Sequence, residues 1–191
     1  MIRKRHALAF ACLAAGAVLL ANAAYIPAKA ALAQFLLERA WAQSQENGTA
    51  RKPWGWADMA PIAELSVPHL DRRMIVLGDA SGQAMAFAPG HMANTPMIGE
   101  PGTAIIAAHR DTHFRILKEL KSGDIVSTTD LQGKHLRFRV VDTRIVRFDA
   151  SGLDPGYGGP TGARLALVTC YPFSGVLNSP LRYVVVAEQM L

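Results

Sequence analysis

The sequence predicts an all-β domain, a barrel or a sandwich with little helix, behind an N-terminal apolar segment. About eight short apolar segments follow residue 54, and Gly, Pro, Asp and Asn separate them. Only one stretch among these segments has helical spacing. Half of the 191 residues are hydrophobic and 18% are charged, which excludes a largely disordered chain. We therefore expect one folded domain over residues 54–191.

The N-terminus has the sequence of a membrane segment. A basic cluster at residues 3–5 precedes an apolar run over residues 7–26, in which Asn22 is the one clearly polar residue. A helix over this run would be roughly 30 Å long, enough to cross the hydrocarbon core of a bilayer. The basic cluster is expected to stay in the cytoplasm, so the rest of the chain would lie outside. We predict a signal anchor over residues 1–27.

A cleaved signal peptide is the alternative interpretation of this segment. Residues 21–23 and 28–30 both have the small-x-small form of a cleavage site. The apolar run exceeds the roughly 7–15 residues usual for a cleaved signal peptide, which favours the uncleaved anchor. In either case the folded domain is exported.

A stalk helix is predicted after the anchor. Leu32, Phe35 and Leu36 lie on one face of a helical pattern over residues 28–46, and a short polar stretch that ends at Pro53 follows. We assign residues 28–53 to this stalk and linker.

The net charge of +5 lies entirely within residues 1–52, which hold seven basic and two acidic residues. The predicted domain is neutral. It therefore lacks the basic surface that nucleic-acid binding requires, and no nucleic-acid partner is expected.

The strand predictions rest on alternation and on turn residues. The one predicted helix of the domain covers residues 114–120, because Phe114, Leu117 and Leu120 recur at a spacing of three. The predicted strands cover residues 62–67, 74–77, 104–108, 125–129, 135–141, 145–148, 164–169 and 182–187.

Cys170 is the candidate nucleophile. Cys12 lies in the membrane segment, so Cys170 is an exported thiol without an intramolecular partner. It ends the strand-like run 164–169 just before Pro172, and strand ends beside loops are where side chains reach substrates. The alternative role is that of a small, buried, apolar side chain.

His109 and Arg182 are the candidate partners of this thiol. His109 ends an apolar run as Cys170 does, and imidazole is the usual base beside a cysteine nucleophile. Arg182 opens an apolar strand face, where it could donate hydrogen bonds to a carbonyl oxygen that becomes negative during acyl transfer. Taken singly, the histidine could be structural and the arginine could point to solvent.

Together these residues resemble the sortase family. The resemblance rests on His109 in AIIAAHRDTHF, Cys170 in LALVTCYPF and Arg182 in SPLRYVVVAE, and it runs from about residue 62 to residue 188. The stretch APGHMANTPMIGEPGTA, with His91 in its Gly-His pair, resembles the region that precedes the catalytic histidine. The short chain with an N-terminal anchor is similar to the proteobacterial type.

The resemblance implies an eight-stranded barrel with one or two short helices and a cysteine transpeptidase. Cys170 would attack an LPxTG-like C-terminal signal of an exported protein, His109 would act as general acid and base, and Arg182 would stabilise the oxyanion. An amine of the cell envelope would accept the protein, and no metal or organic cofactor is needed. The domain would lie outside the bacterial inner membrane, held by its single-pass anchor.

Further substrate contacts are implied for His91, Ala166 and Thr169. The family usually has Thr-Leu-x-Thr-Cys, and Ala166 stands here in place of the first threonine, on the same strand face as Cys170. Asp111 and His113 are expected to orient or solvate the loop after His109.

Two other functions stay open at this point. One is a cysteine hydrolase that uses water instead of an amine, and the other is a membrane-tethered binding module with an inert Cys170. A peptidoglycan L,D-transpeptidase is discounted, because its motif needs a histidine two residues before the cysteine and Val168 stands there.

Overall fold

The computed structural model describes residues 2–175 and 179–190. A long helix, α1 (Ile2–Asn47), precedes a β-domain with a short helix α2 (Gly82–Met85). Contacts divide the chain into a unit that ends at Leu36 and a unit that begins at Leu37. The second unit therefore includes the last part of α1 together with the β-domain.

Helix α1 replaces the two helices that the sequence predicts. It continues through Pro27, the last residue of the predicted anchor, into the predicted stalk. Proline removes one backbone hydrogen bond, whereas a break would leave unpaired groups at two new helix ends. From Leu13 to Asn47 the helix is long and apolar enough to cross a membrane, a test that signal sequences also pass.

Eight strands close into a barrel in the spatial order β1-β2-β3-β4-β7-β8-β6-β5. This confirms the predicted eight-stranded barrel. The strands are β1 (Pro61–Val67), β2 (Arg72–Leu77), β3 (Gly90–His91), β4 (Gly102–Ala107), β5 (Ile125–Asp130), β6 (His135–Arg147), β7 (Ala163–Cys170) and β8 (Leu181–Gln189).

Two strand predictions differ from the structure although the count agrees. The segments 135–141 and 145–148 form one strand, β6, with a bulge between Val140 and Asp142. A bulge shifts the side-chain alternation and so imitates a strand end in the sequence. Strand β3 was missed, because a pair of residues carries no alternating pattern.

Strands β4, β7 and β8 have an inner and an outer face, and this division positions the site. Their inward side chains belong to the barrel core, which includes Ile106, Leu167 and Val185. The 3₁₀-helix His113–Glu119, predicted as helix 114–120, adds Phe114 and Leu117 to that core. Full burial of such a side chain contributes roughly 1.5–3 kcal/mol, so the helix is held firmly beside the end of β4.

Candidate active site

The structure brings His109, Cys170 and Arg182 to one end of three adjacent strands. In the antiparallel pair β7–β8, Cys170 lies directly opposite Arg182. In the parallel pair β4–β7, Ala107 lies opposite Val168, and His109 and Cys170 each follow two residues later. Because side chains alternate along a strand, Cys170 and Arg182 share the outer face with Val168 and Val184. The thiol is half-buried.

Thr169 joins the ends of β4 and β7. Its hydroxyl donates a hydrogen bond of 2.7 Å to the Ala108 carbonyl, and the Ala108 amide donates to the Val168 carbonyl at 3.2 Å. These bonds lie one residue before His109 and one residue before Cys170, so they fix the two segments that carry the thiol and the imidazole. Thr169 is buried, and its hydroxyl is engaged in this internal hydrogen bond.

Replacing Thr169 by valine is expected to destabilise the chain by about 1–3 kcal/mol, because the buried Ala108 carbonyl loses its side-chain donor while the volume stays similar. Urea unfolding of the full-length chain measures this loss. Thr128, a buried threonine on β5, provides the matched control Thr128→Val. Equal unfolding free energies for T169V and the wild type would contradict the positioning role.

Ala166 also lies on the outer face, as predicted, but it is fully buried. Its neighbours across the sheet are Ile105 on β4 and Val186 on β8. The methyl group therefore belongs to the packed wall beneath the site. The predicted substrate contacts of Ala166 and Thr169 would need both side chains to become accessible.

The Arg182 side chain contacts the backbone of the preceding residues and an aromatic ring. Its Nη1 donates hydrogen bonds to the carbonyls of Ser179 (3.0 Å) and Leu181 (2.8 Å), and its guanidinium carbon lies 5.6 Å from the centre of the Phe148 ring. Within the described residues, the donors on Nε and Nη2 make no hydrogen bond. The side chain is thus anchored by one nitrogen and has donors available for an anionic oxygen.

A groove of about 320 Å³ lies beside Arg182 on this outer face. It is mostly apolar, which suits an extended peptide with aliphatic side chains. The groove is lined by Ala80, Met85, Met92, Ile105, Ala107, Phe148, Ser151, Leu153, Val168, Arg182 and Val184.

The loop between β6 and β7, which supplies Phe148 and Leu153 to the groove, is pinned to the start of β4. The Thr103 amide donates to the Pro155 carbonyl at 2.9 Å, and the Thr103 hydroxyl donates to the Tyr157 carbonyl at 2.5 Å. Gly102 has φ +114°, and a Cβ there would lie 2.3 Å from Pro155 O. The loop can approach this closely only because position 102 is glycine.

His91 is not brought together with the other predicted residues. It lies opposite Ile106, a core residue, so it faces away from the surface that carries Cys170. Its buried ring donates through Nε2 to the Pro96 carbonyl at 2.8 Å. In this structure His91 holds the loop before β4 and makes no approach to the groove, so the predicted substrate contact gains no support.

His113 interacts electrostatically with His109, and its expected role in the loop after His109 stays a prediction. Burial lowers the pKa of His113 below its usual value, and repulsion from the His109 imidazole lowers that pKa further. Both effects favour the neutral form of His113. Asp111 is exposed in the same loop.

Arg110 is a site residue that the sequence reasoning missed. Its side chain is buried, and Nη1 donates to the Pro172 carbonyl at 2.9 Å, which ties the loop after His109 to the turn after Cys170. Its Nε lies 3.7 Å from the Asp111 carboxylate. A charged residue directly after an apolar strand was the available signal, since a buried guanidinium needs such partners.

Comparison with known proteins identifies the family. The Sortase domain model matches residues 65–190. Sortase D of Bacillus subtilis is 28% identical over 126 residues, which are 66% of this chain and 62% of that protein. The chain thus aligns with less than two thirds of the length of this relative.

Solved sortase structures share the fold. Sortase A from Corynebacterium diphtheriae has a TM-score of 0.60 at 21% identity, covering 71% of this chain and 63% of that one. A Clostridium perfringens Sortase D5 transpeptidase has a TM-score of 0.64 at 18% identity, covering 84% of this chain and 99% of that one. Because the family model also covers well over half of the sequence, the chain belongs to the sortase family.

Proposed function

We propose that this chain is a membrane-anchored transpeptidase that cleaves an LPxTG-like C-terminal sorting signal and transfers the protein to an amine of the cell envelope. The observation that carries the proposal is the pairing of Cys170 with Arg182 across β7 and β8, with His109 alongside at the end of β4. This arrangement supplies a nucleophile, an oxyanion partner and an acid–base group beside an apolar groove.

In the first step the Cys170 thiolate attacks the carbonyl carbon of the Thr–Gly bond. The carbonyl oxygen becomes negative, and the free donors of Arg182 stabilise it. His109 protonates the glycine nitrogen, the C–N bond breaks, and a thioacyl enzyme remains.

In the second step an amine replaces the leaving group. His109 takes a proton from the incoming amine, whose nitrogen attacks the thioester carbonyl, and the C–S bond breaks to regenerate the Cys170 thiolate. The hydrophobic residues of the signal would lie in the groove, which Arg182 lines.

The half-buried thiol favours this function over an inert binding module, in which Cys170 would be packed in the core. The apolar stretch of α1 supports a membrane anchor, with the domain on the extracytoplasmic side of the inner membrane. An exported protein with the sorting signal and an envelope amine are the proposed partners.

The test is product analysis with the full-length chain in detergent. An LPxTG-like peptide is added with or without triglycine, and mass spectrometry follows the intact protein and the peptides. We expect a thioacyl adduct on the protein and, with triglycine present, a peptide joined to it. Hydrolysis alone at saturating amine would favour the hydrolase, and the lack of any adduct would overturn the proposal.

A further inference from the structure

A second cavity, of about 240 Å³, is lined by residues that follow His109 and Cys170 in the chain. We call it the basic pocket and define it by Arg110, Asp111, Arg115, Lys118 and residues 173–175. Three of its side chains are cationic and one is a carboxylate. The domain as a whole is neutral, so this local excess of positive charge is a particular feature of the pocket.

The 3₁₀-helix aligns two of these charges. The helix is kinked at Phe114 (φ −96°, ψ 18°), and Arg115 and Lys118 both follow the kink. With three residues per turn, these two side chains project from the same face. Phe114 and Leu117, at the same spacing, are buried and fix the helix to the core. Arg115 and Lys118 are exposed, and neither makes an ion pair within residues 2–175 and 179–190.

The pocket is connected to the reacting groups. The Phe114 amide donates to the His109 carbonyl at 3.1 Å, which ties the start of the 3₁₀-helix to the proposed base. Arg110, whose side chain lines the pocket, donates to the Pro172 carbonyl two residues after Cys170. The segment that carries Arg115 and Lys118 is therefore tied through Phe114 to His109, and Arg110 is tied to the turn that follows Cys170.

The two cavities lie on opposite sides of the thiol and imidazole along the strands. Ala107 and Val168, which line the groove, precede His109 and Cys170. Arg110 and residues 173–175, which line the basic pocket, follow them. If the sorting signal occupies the groove, the leaving amine departs on the side of the basic pocket. The incoming amine must take the same position, because its attack is the reverse of that departure.

We propose that the basic pocket binds an oxyanion, a carboxylate or a phosphate, carried by the amine acceptor. This inference rests on the proposed function and names the chemical class of its second substrate. Arginine presents paired donors that match either anion, and lysine adds a point charge. A bound oxyanion would place the neighbouring amine near the thioester carbonyl and raise transfer relative to hydrolysis.

The experiment uses the full-length chain, an LPxTG-like peptide and three acceptors. Triglycine carries a carboxylate, 2-aminoethyl phosphate carries a phosphate, and triglycine amide carries neither. The measured quantity is the ratio of transferred to hydrolysed peptide for the wild type and for Arg115→Gln/Lys118→Gln. The matched control Arg51→Gln/Lys52→Gln removes the same two charges from the exposed linker.

With R115Q/K118Q we expect the ratio to fall about five- to tenfold for an anionic acceptor and to stay unchanged for triglycine amide. The control variant should match the wild type. A fall with triglycine alone identifies a carboxylate, and a fall with 2-aminoethyl phosphate alone identifies a phosphate. The inference would be overturned if the variant gave the same ratio of transfer to hydrolysis as the wild type with every acceptor. It would also be overturned if the ratio fell equally with all three acceptors.

These outcomes are separate from failure of the proposed function. If the wild type forms no thioacyl enzyme, both the proposed function and the proposed acceptor site are wrong. If the thioacyl enzyme forms and is transferred without regard to the charge of the acceptor, only the acceptor site is wrong.

Discussion

Replacing Cys170 by alanine is expected to abolish the thioacyl adduct and to lower turnover of an LPxTG-like peptide by about 10⁴-fold or more. The sulfur forms the covalent bond in the proposed reaction, and neither His109 nor Arg182 can supply it. Intact-protein mass spectrometry detects the adduct, and peptide cleavage gives the rate. The side chain is half-buried and of small volume, so alanine should leave the barrel folded.

The chain offers a matched control in Cys12, which lies in α1 outside the barrel. Cys12→Ala should keep the adduct and the rate of the wild type. A second variant, Cys170→Ser, keeps the size of the side chain with a weaker nucleophile and should also lose the adduct. Cleavage by C170A at the wild-type rate would remove Cys170 from the mechanism.

Replacing Arg182 by alanine is expected to lower kcat by about 10²- to 10³-fold, the usual effect of removing one oxyanion donor group. In the structure its Nη1 donates to two backbone carbonyls, and within the described residues the donors on Nε and Nη2 make no hydrogen bond. Arg182→Lys keeps the charge but loses the planar fork, so we expect it to recover little activity. Steady-state kinetics with the sorting peptide separate kcat from KM.

The control for Arg182 is Arg139→Ala, which removes an exposed arginine from β6 in the same barrel. It should retain the kcat of the wild type. Because Arg182 also stacks on Phe148, a purely structural role would raise KM through a distorted groove and leave kcat largely intact. That pattern in R182A would contradict oxyanion stabilisation.

Local sequence patterns predict much of the barrel because its inner face imposes alternation. Strand β7 shows this, since Leu165 and Leu167 are buried in the core and Cys170 emerges at the end of the other face. The predicted strands on either side of Asp142 were wrong as separate elements. Residues 135–139 of β6 pair with β5, and residues 138–147 pair with β8, so the neighbours of the strand, and with them its burial and its pattern, change along one continuous strand.

The site itself was only partly predictable, because its arrangement depends on pairing between distant segments. His109 and Cys170 stood out as polar residues that close an apolar run, and Arg182 as one that opens such a run. Nothing in such a run indicates that β4 lies beside β7, or that Arg110 reaches the carbonyl of Pro172. The basic pocket was also missed, because Arg115 and Lys118 have the spacing of any solvated helix face. Only the structure shows that both residues line a cavity.

The parallel pairing of β4 with β7 also determines at which stage of folding the site can assemble. The hydrogen bond between Thr169 and Ala108 joins residues 61 positions apart. Strands β5 and β6 lie between these residues in the sequence, and both must take their places in the sheet before the barrel closes. Contacts of such long range form slowly, because the chain loses the entropy of loop closure before the contact contributes any stabilising free energy. In an incompletely folded chain, His109 and Cys170 are therefore still apart, and the proposed reaction would have to wait until the last strands have joined.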